Sequence, residues 1–285
     1  MIRRAQPWLG TLVEVSIGAM GGAAPDPQNP ADLQAANQAI NLAFARIGQV
    51  HRLMSFHDAA SDVSRFNRAD AGEMLAVDPH TWAVLELAQQ IHDSSEGIFN
   101  IACAPRLVAW DCLPSPASVR PVYEPSAAVL RCEADGMVRK LAAGWIDLGG
   151  IAKGFAVDVA VEALRSAGVT GACVNAGGDL RVLGSEPWPV AIRDPLAPFR
   201  TAKTVQQGEG AMATSAAYFS AKRHIGQQVC ALVDGRNGEP LPGSTSITVQ
   251  APRCAVADAL TKVVVATADT QHPALEAWNA TAFII

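Results

Sequence analysis

The stretch Ile146–Asp158, reading Ile-Asp-Leu-Gly-Gly-Ile-Ala-Lys-Gly-Phe-Ala-Val-Asp, constrains this chain more than any other. It reads as a short apolar strand with one acid, Asp147, at its end, then two glycines, then a helix. The apolar face of that helix is Ile151, Ala152, Phe155, Ala156, Val159, Ala160, Ala163 and Leu164, and Gly168 stands where a left-handed residue ends a helix. Gly149 and Gly150 let the backbone pass close to a ligand, and the helix N-terminus beyond them offers unpaired N–H groups to an anion. A second strand and glycine turn follow at Ala172–Asp179, ending Asn-Ala-Gly-Gly-Asp. Strand, Gly-Gly, helix, strand, Gly-Gly-Asp is a phosphate-handling arrangement in outline, although many Gly-Gly pairs are only tight turns.

Around that centre the chain alternates between strand and helix signals. Leu9–Ile17 sets Val13, Val15 and Ile17 against Glu14 and Ser16, the period of a half-buried strand. Residues 18–28 read as a surface loop. Asn29 caps a helix with Pro30 at its first position, running to about Met54 on the stripe Leu33, Ala36, Ile40, Ala43, Ile47, Val50. Ser55–Asn67 has no clean period, and its Ser, Asp and Asn content favours caps and short turns. Asp78-Pro79 opens a second amphipathic helix ending near Gly97, and an irregular proline-rich stretch runs to about 125. Val129–Cys132 and Met137–Leu141 flank Asp135-Gly136 as a hairpin. Beyond Asp179 come strands at Leu180–Leu183 and Val190–Ile192, a polar loop, Ala211–Tyr218, and a strand at Val229–Val233 ending in the turn Asp234–Gly238. Ser246–Gln250 alternates as a strand, Ala255–Ala268 is an apolar helix carrying Asp258, Thr261 and Lys262, and Pro273–Trp278 and Phe283–Ile285 close the fold as a short helix and an edge strand. Strands outnumber helices without strict βαβ alternation, which predicts an α+β fold over the whole span 1–285 as a single domain.

Composition narrows the function. A net charge of −5 leaves no basic surplus for nucleic acid. The six cysteines form no CxxC pair or zinc spacing, so they are expected to be reduced core thiols. The first residues lack the apolar core of a signal peptide and no segment reaches the ~20 apolar residues of a membrane span, so the chain as given reads as cytoplasmic.

Five segments, taken in order, resemble the FAD:protein FMN transferases, the ApbE-like flavin transferases. They are Leu9-Gly10-Thr11; Met54-Ser55 through Ser64-Arg-Phe-Asn67; Gly97-Ile-Phe-Asn100; Ile146–Asp158 with Val174-Asn-Ala-Gly-Gly-Asp179; and Ala213-Thr-Ser215, Asp234-Gly-Arg-Asn-Gly238 and Val256-Ala-Asp-Ala-Leu260 near the end. The resemblance implies mixed or antiparallel sheets flanked by helices, in two closely packed halves with FAD in the cleft between them. It also implies Mg²⁺ on the diphosphate and transfer of FMN to a Thr hydroxyl of a target flavoprotein, with AMP released. Carried over by position, the flavin nucleotide contacts fall on Leu9, His57, Ile98, Phe99, Asn100, Asp147, Lys153, Gly177, Gly178, Asp179 and Thr214. Catalytic roles fall on Asp258 and Lys153, and the metal ligands on Gly150, Asp258 and Thr261. Such a set suits the chemistry, since cleaving a diphosphate needs charge neutralised on its oxygens and the incoming hydroxyl aligned.

Four positions depart from the family pattern. Lys262 stands where a hydroxyl commonly follows the aspartate by four residues, His57 replaces a flavin-stacking tyrosine, Asn100 replaces an aspartate, and Ala231 replaces a histidine. An ammonium cannot ligate Mg²⁺, so Lys262 either contacts phosphate or leaves the ligand's place to Thr261. These departures keep open an FAD-binding protein, or a slow FAD pyrophosphatase, that has lost the transfer step. Structural roles also stay open: Asp147 and Asp258 as helix caps, Lys153 and His57 as surface residues, Thr214 and Ser215 as turn formers, and Asn175 and Asp179 as fixing their own glycine turn.

Overall fold

The structure is a computed structural model that describes residues 1–216, 221–241, 243 and 245–285. The chain starts with strands β1 (Ile2–Trp8) and β2 (Thr11–Met20), then helices α1 (Pro30–Met54) and α2 (Asp62–Arg68), strand β3 (Met74–Ala76) and helix α3 (Pro79–Ser94). After the short helix α4 (Ala104–Ala109) come β4 (Leu130–Cys132), β5 (Met137–Lys140) and α5 (Ala152–Ser166). Strands β6 (Val169–Ala176), β7 (Asp179–Leu183), β8 (Trp188–Asp194), β9 (Ala197–Gln207) and β10 (Gly210–Ala216) follow. They lead to two short antiparallel pairs, β11 (Lys222–His224) with β12 (Gln227–Val229) and β13 (Val233–Asp234) with β14 (Glu239–Pro240). Strand β15 (Ser246–Ala251), helices α6 (Cys254–Thr267) and α7 (Pro273–Ala277) and strand β16 (Thr281–Ile284) end the chain.

Seven strands form the main sheet in the order β1-β2-β6-β7-β10-β15-β16. Every pairing in it is antiparallel, so the expected α+β class holds in its antiparallel form. Alternation along each strand divides the side chains between two faces. Ala172, Val174 and Ala176 of β6, Ala211 and Ala213 of β10, and Ile247 and Val249 of β15 join the principal apolar core with α1, α5 and α6. On the opposite face, Leu180, Val182 and Met212 pack with Ile192 of the β8–β9 hairpin. Helix α6 is apolar over most of its surface because most of it is buried: Cys254, Val256, Ala257, Leu260, Val263 and Val264 are all covered, as expected for a helix packed against the sheet and further helices.

Several elements differ from the sequence expectation. The strand expected from Leu9 begins at Thr11, because Leu9 (φ 56°) and Gly10 (φ 72°) form a hairpin turn that joins it to β1, an unexpected edge strand. Strand β2 continues to Met20, into the stretch expected to be loop. The polar loop after Ile192 is the second arm of the β8–β9 hairpin. Within Ser55–Asn67 a real helix, α2, is capped by the Ser61 hydroxyl, which accepts from the Ser64 N–H at 3.0 Å. The strand expected at Val229–Val233 is interrupted, its two ends belonging to β12 and β13. The end of the Ala211–Tyr218 stretch falls on residues 217–218, outside the described residues. Leu33, placed on the buried stripe of α1, is 39% exposed.

Candidate functional site

Three turns converge at one end of the main sheet, and sequence dictates each of them. Gly177 (φ 67°) and Gly178 (φ 109°) link β6 to β7, with the Asn175 side chain accepting from the Gly178 N–H at 2.9 Å. A Cβ on Gly177 would sit 2.4 Å from the Thr11 hydroxyl, so the β1–β2 turn and the Gly-Gly turn touch only because that carbon is missing. The third turn, Leu148–Ile151, brings the chain into α5. It is anchored from behind by Asn67, whose amide accepts from the Ile146 N–H at 2.7 Å and donates to the Ile146 carbonyl at 2.9 Å.

A cleft of about 1130 Å³ opens between these turns. Leu9, His57, Asp147, Gly150, Lys153, Gly177, Gly178, Asp179 and Thr214 all line it, so most of the expected nucleotide contacts share one cavity. Ile98, Phe99 and Asn100 line a smaller cavity of about 50 Å³, and Asp147, Gly150 and Lys262 line both. The loop around Asn100 is fixed from a distance. Asn100 donates to the Tyr123 hydroxyl at 3.0 Å, and the Gly235 N–H donates to the Ile98 carbonyl at 3.0 Å. Gly235 has no room for a side chain, since a Cβ would lie 2.2 Å from the Gly97 carbonyl oxygen.

Behind the cleft lies a buried cluster of two carboxylates and two ammoniums. Lys153 in α5 contacts Asp179 and reaches Asp258 Oδ2 at 3.3 Å, where the Gly154 N–H also donates at 3.2 Å. Lys262, one turn after Asp258 on α6, contacts Asp258 Oδ1 and donates to the Asp258 carbonyl at 2.9 Å. Burial raises the proton affinity of Asp258, but Lys153 and Lys262 outweigh it and hold the carboxyl below its ordinary range. Asp179 goes the other way: burial, then repulsion from Asp258, push it up despite Lys153. Burial alone would push the Lys153 ammonium down, yet its two carboxylate partners keep it firmly protonated. Asp147 is raised by burial, against N–H donation from Gly149 and the nearby His57.

The site corrects two sequence expectations. Asp258 is 1% exposed and lines neither cavity, so it acts on the cleft only through the lysines it holds. The three donors expected to hold Mg²⁺ do not fit a divalent ion in this arrangement. Both Asp258 carboxylate oxygens face ammoniums. The Thr261 hydroxyl donates to the Asp258 carbonyl at 2.6 Å and accepts from Ser215 at 2.7 Å. That leaves Gly150 as the one residue of the set that lines the cleft, and no group of three or more His, Cys, Asp or Glu residues able to hold a metal occurs among the described residues. Three residues have roles that the sequence reading did not assign. Asp158 accepts from the Cys254 and Ala255 N–H groups at 2.9 and 3.0 Å, capping α6 from α5, and is itself paired with Arg181 at 3.1 Å. Tyr123 lies in the irregular proline-rich stretch, and Arg193 lines the cleft from the β8–β9 hairpin.

An antiparallel α+β fold with a cleft at the sheet end, glycine turns on its rim and ammoniums beneath defines a nucleotide-handling protein. The sequence model of the ApbE family matches residues 9–284, and the chain belongs to that family. It is 28% identical over 230 residues to the FAD:protein FMN transferase of Vibrio cholerae, covering 74% of this chain and 68% of that protein. To the FAD:protein FMN transferase of Rhodobacter capsulatus it is 29% identical over 295 aligned positions, covering 94% of this chain but only 52% of that relative. Its backbone matches the ApbE protein of Thermotoga maritima with a TM-score of 0.79 at 24% identity, over 100% of this chain and 94% of that one. The flavin transferase ApbE of Vibrio cholerae matches with a TM-score of 0.78, also at 24% identity, over 100% and 93%.

Proposed function

We propose that this protein transfers FMN from FAD to a threonine hydroxyl of a target flavoprotein. The observation that carries it is the large cleft leading into the smaller Phe99–Asn100 cavity, with Lys153 and Lys262 set behind the passage, on a chain of the ApbE family. The volume exceeds the ~300–1,000 Å³ of ordinary small-molecule sites and suits a dinucleotide. In this reading the flavin lies toward Leu9 and His57, the adenine half toward Ile98–Asn100, and the diphosphate crosses near Gly150, Gly177, Gly178 and Lys153. Asp179, Asp147 and Thr214 complete the nucleotide contacts. The acceptor oxygen bonds to the phosphorus on the flavin side, the bridging P–O bond breaks, AMP leaves, and the hydroxyl proton passes to solvent. Lys153, held rigidly by Asp179 and Asp258, supplies positive charge where that phosphate gathers negative charge, which is the main demand of phosphoryl transfer. The shared core linking both sides of the cleft supports a single working domain.

A second reading, hydrolysis of FAD with water as acceptor, is favoured by Ala231 on the cleft wall, a position with no group for proton transfer. One experiment separates them. Incubated with FAD and a candidate acceptor flavoprotein, the protein is expected to raise the acceptor's mass by one FMN at a threonine, with AMP released in equal amount. AMP and free FMN with no modified acceptor would favour hydrolysis, and no AMP at all would overturn both.

A further inference from the structure

We propose that the Lys262 ammonium takes the place of a divalent cation in this protein, so that FAD binding and cleavage need no Mg²⁺. This rests on the FMN-transfer reading above. Three observations point to it. Lys262 lines both the large cleft and the smaller cavity, so its ammonium lies at their junction, where a dinucleotide spanning the two places its diphosphate. Its Cε lies beside Gly150, 3.3 Å from where a Cβ would stand, next to the backbone expected to share a metal. Its Nζ is fixed by the Asp258 carbonyl and by the Asp258 carboxylate, the side chain expected to bind the metal. The cluster of Asp179, Asp258, Lys153 and Lys262 is neutral as it stands. A divalent ion brought to the Asp258 oxygens meets two ammoniums, whereas an incoming diphosphate is attracted to both lysines, and Lys262 also faces the Asp147 carboxyl that lines the same junction. Asp258 is then a positioning residue that holds a built-in cation, and its own negative charge is already offset before substrate arrives.

Calorimetric titration of FAD into EDTA-stripped protein, with and without millimolar MgCl₂, tests the proposal. Wild type is expected to bind FAD equally in both buffers, within about twofold. Lys262→Met removes the charge at similar length and should lose about tenfold or more in affinity, unrestored by Mg²⁺. Lys262→Thr should lose a similar amount in EDTA and regain it in MgCl₂, because a hydroxyl and a freed carboxylate oxygen then face the junction. A wild-type affinity that rises about tenfold in MgCl₂ would overturn the proposal while leaving the transferase assignment intact. Binding in neither buffer would overturn both. If either variant fails to fold, the two wild-type titrations alone still decide.

Discussion

Asp147 shows how a single residue is placed for function at a cost to stability. Its carboxyl lines the cleft, and burial raises its proton affinity above the ordinary carboxylate value. The folded protein therefore holds this proton more tightly than the unfolded chain does, so stability falls as pH rises from the unfolded value of 3.8 through the raised folded one. The cost grows with pH between those two values. Asp147→Asn, neutral and of the same shape, is expected to raise the melting temperature by a few degrees at pH 7, with the gain shrinking as pH approaches 4 and both forms become uncharged. The same variant should bind FAD differently if the proposed nucleotide contact of Asp147 is made, since its charge is removed from the cleft wall. A melting difference that is constant with pH, or of the opposite sign, would show that desolvation does not govern this carboxyl. The lysine pair behind it differs in kind. Lys153 and Lys262 each have carboxylate partners, so their burial is compensated and breaking one partner strands the other charge.

At the scale of elements, the crossing of α5 and α6 sets the site. Gly154 lies where the helices meet, and a Cβ there would stand 2.3 Å from the Cys254 carbonyl oxygen and 2.7 Å from the Ala255 nitrogen. An ordinary helical Gly→Ala change gains up to ~1 kcal/mol. Here the added carbon meets backbone that cannot step aside without losing the Asp158 cap on Cys254 and Ala255. Gly154→Ala is expected to destabilise by at least about 2 kcal/mol, combining overpacking with a lost cap, read as a lowered urea midpoint. An unchanged midpoint would mean the helices separate freely. Such crossings also explain what was legible in the sequence. The helices α1, α3, α5 and α6 and the glycine turns announce themselves by apolar period, caps and paired glycines. Strand β1 and strand β9 do not, because each is paired on one side only and buries too few side chains to leave a period. Asp258 and Lys262 share a helix face by spacing alone. That Lys153 joins them from another helix, and that Asp158 caps α6 across the crossing, depends on tertiary placement that no local pattern encodes.

On the scale of the whole molecule, the sheet order decides how the protein is assembled. The candidate site gathers residues from Leu9 to Lys262, so it exists only when nearly the entire fold does. Strand β2 lies between β1, its neighbour in sequence, and β6, with Val13 opposite Ala176. Those two residues are 163 positions apart (176 − 13). During synthesis, at ~5–20 residues per second, the β1–β2 hairpin emerges and then waits roughly 8–33 s for its partner. Through that interval β2 offers an unpaired edge with Val13, Val15 and Ile17 on it, the kind of template that other nascent chains can extend. Ribosome-bound chains halted before Val169 should accordingly recruit chaperones or aggregate, while the full-length chain should not; pelleting assays of the two would show it. The placement of the Gly-Gly turn beside Thr11 thus carries a kinetic burden: the first strands made wait longest for their next neighbour in the sheet, and slow translation prolongs their exposure.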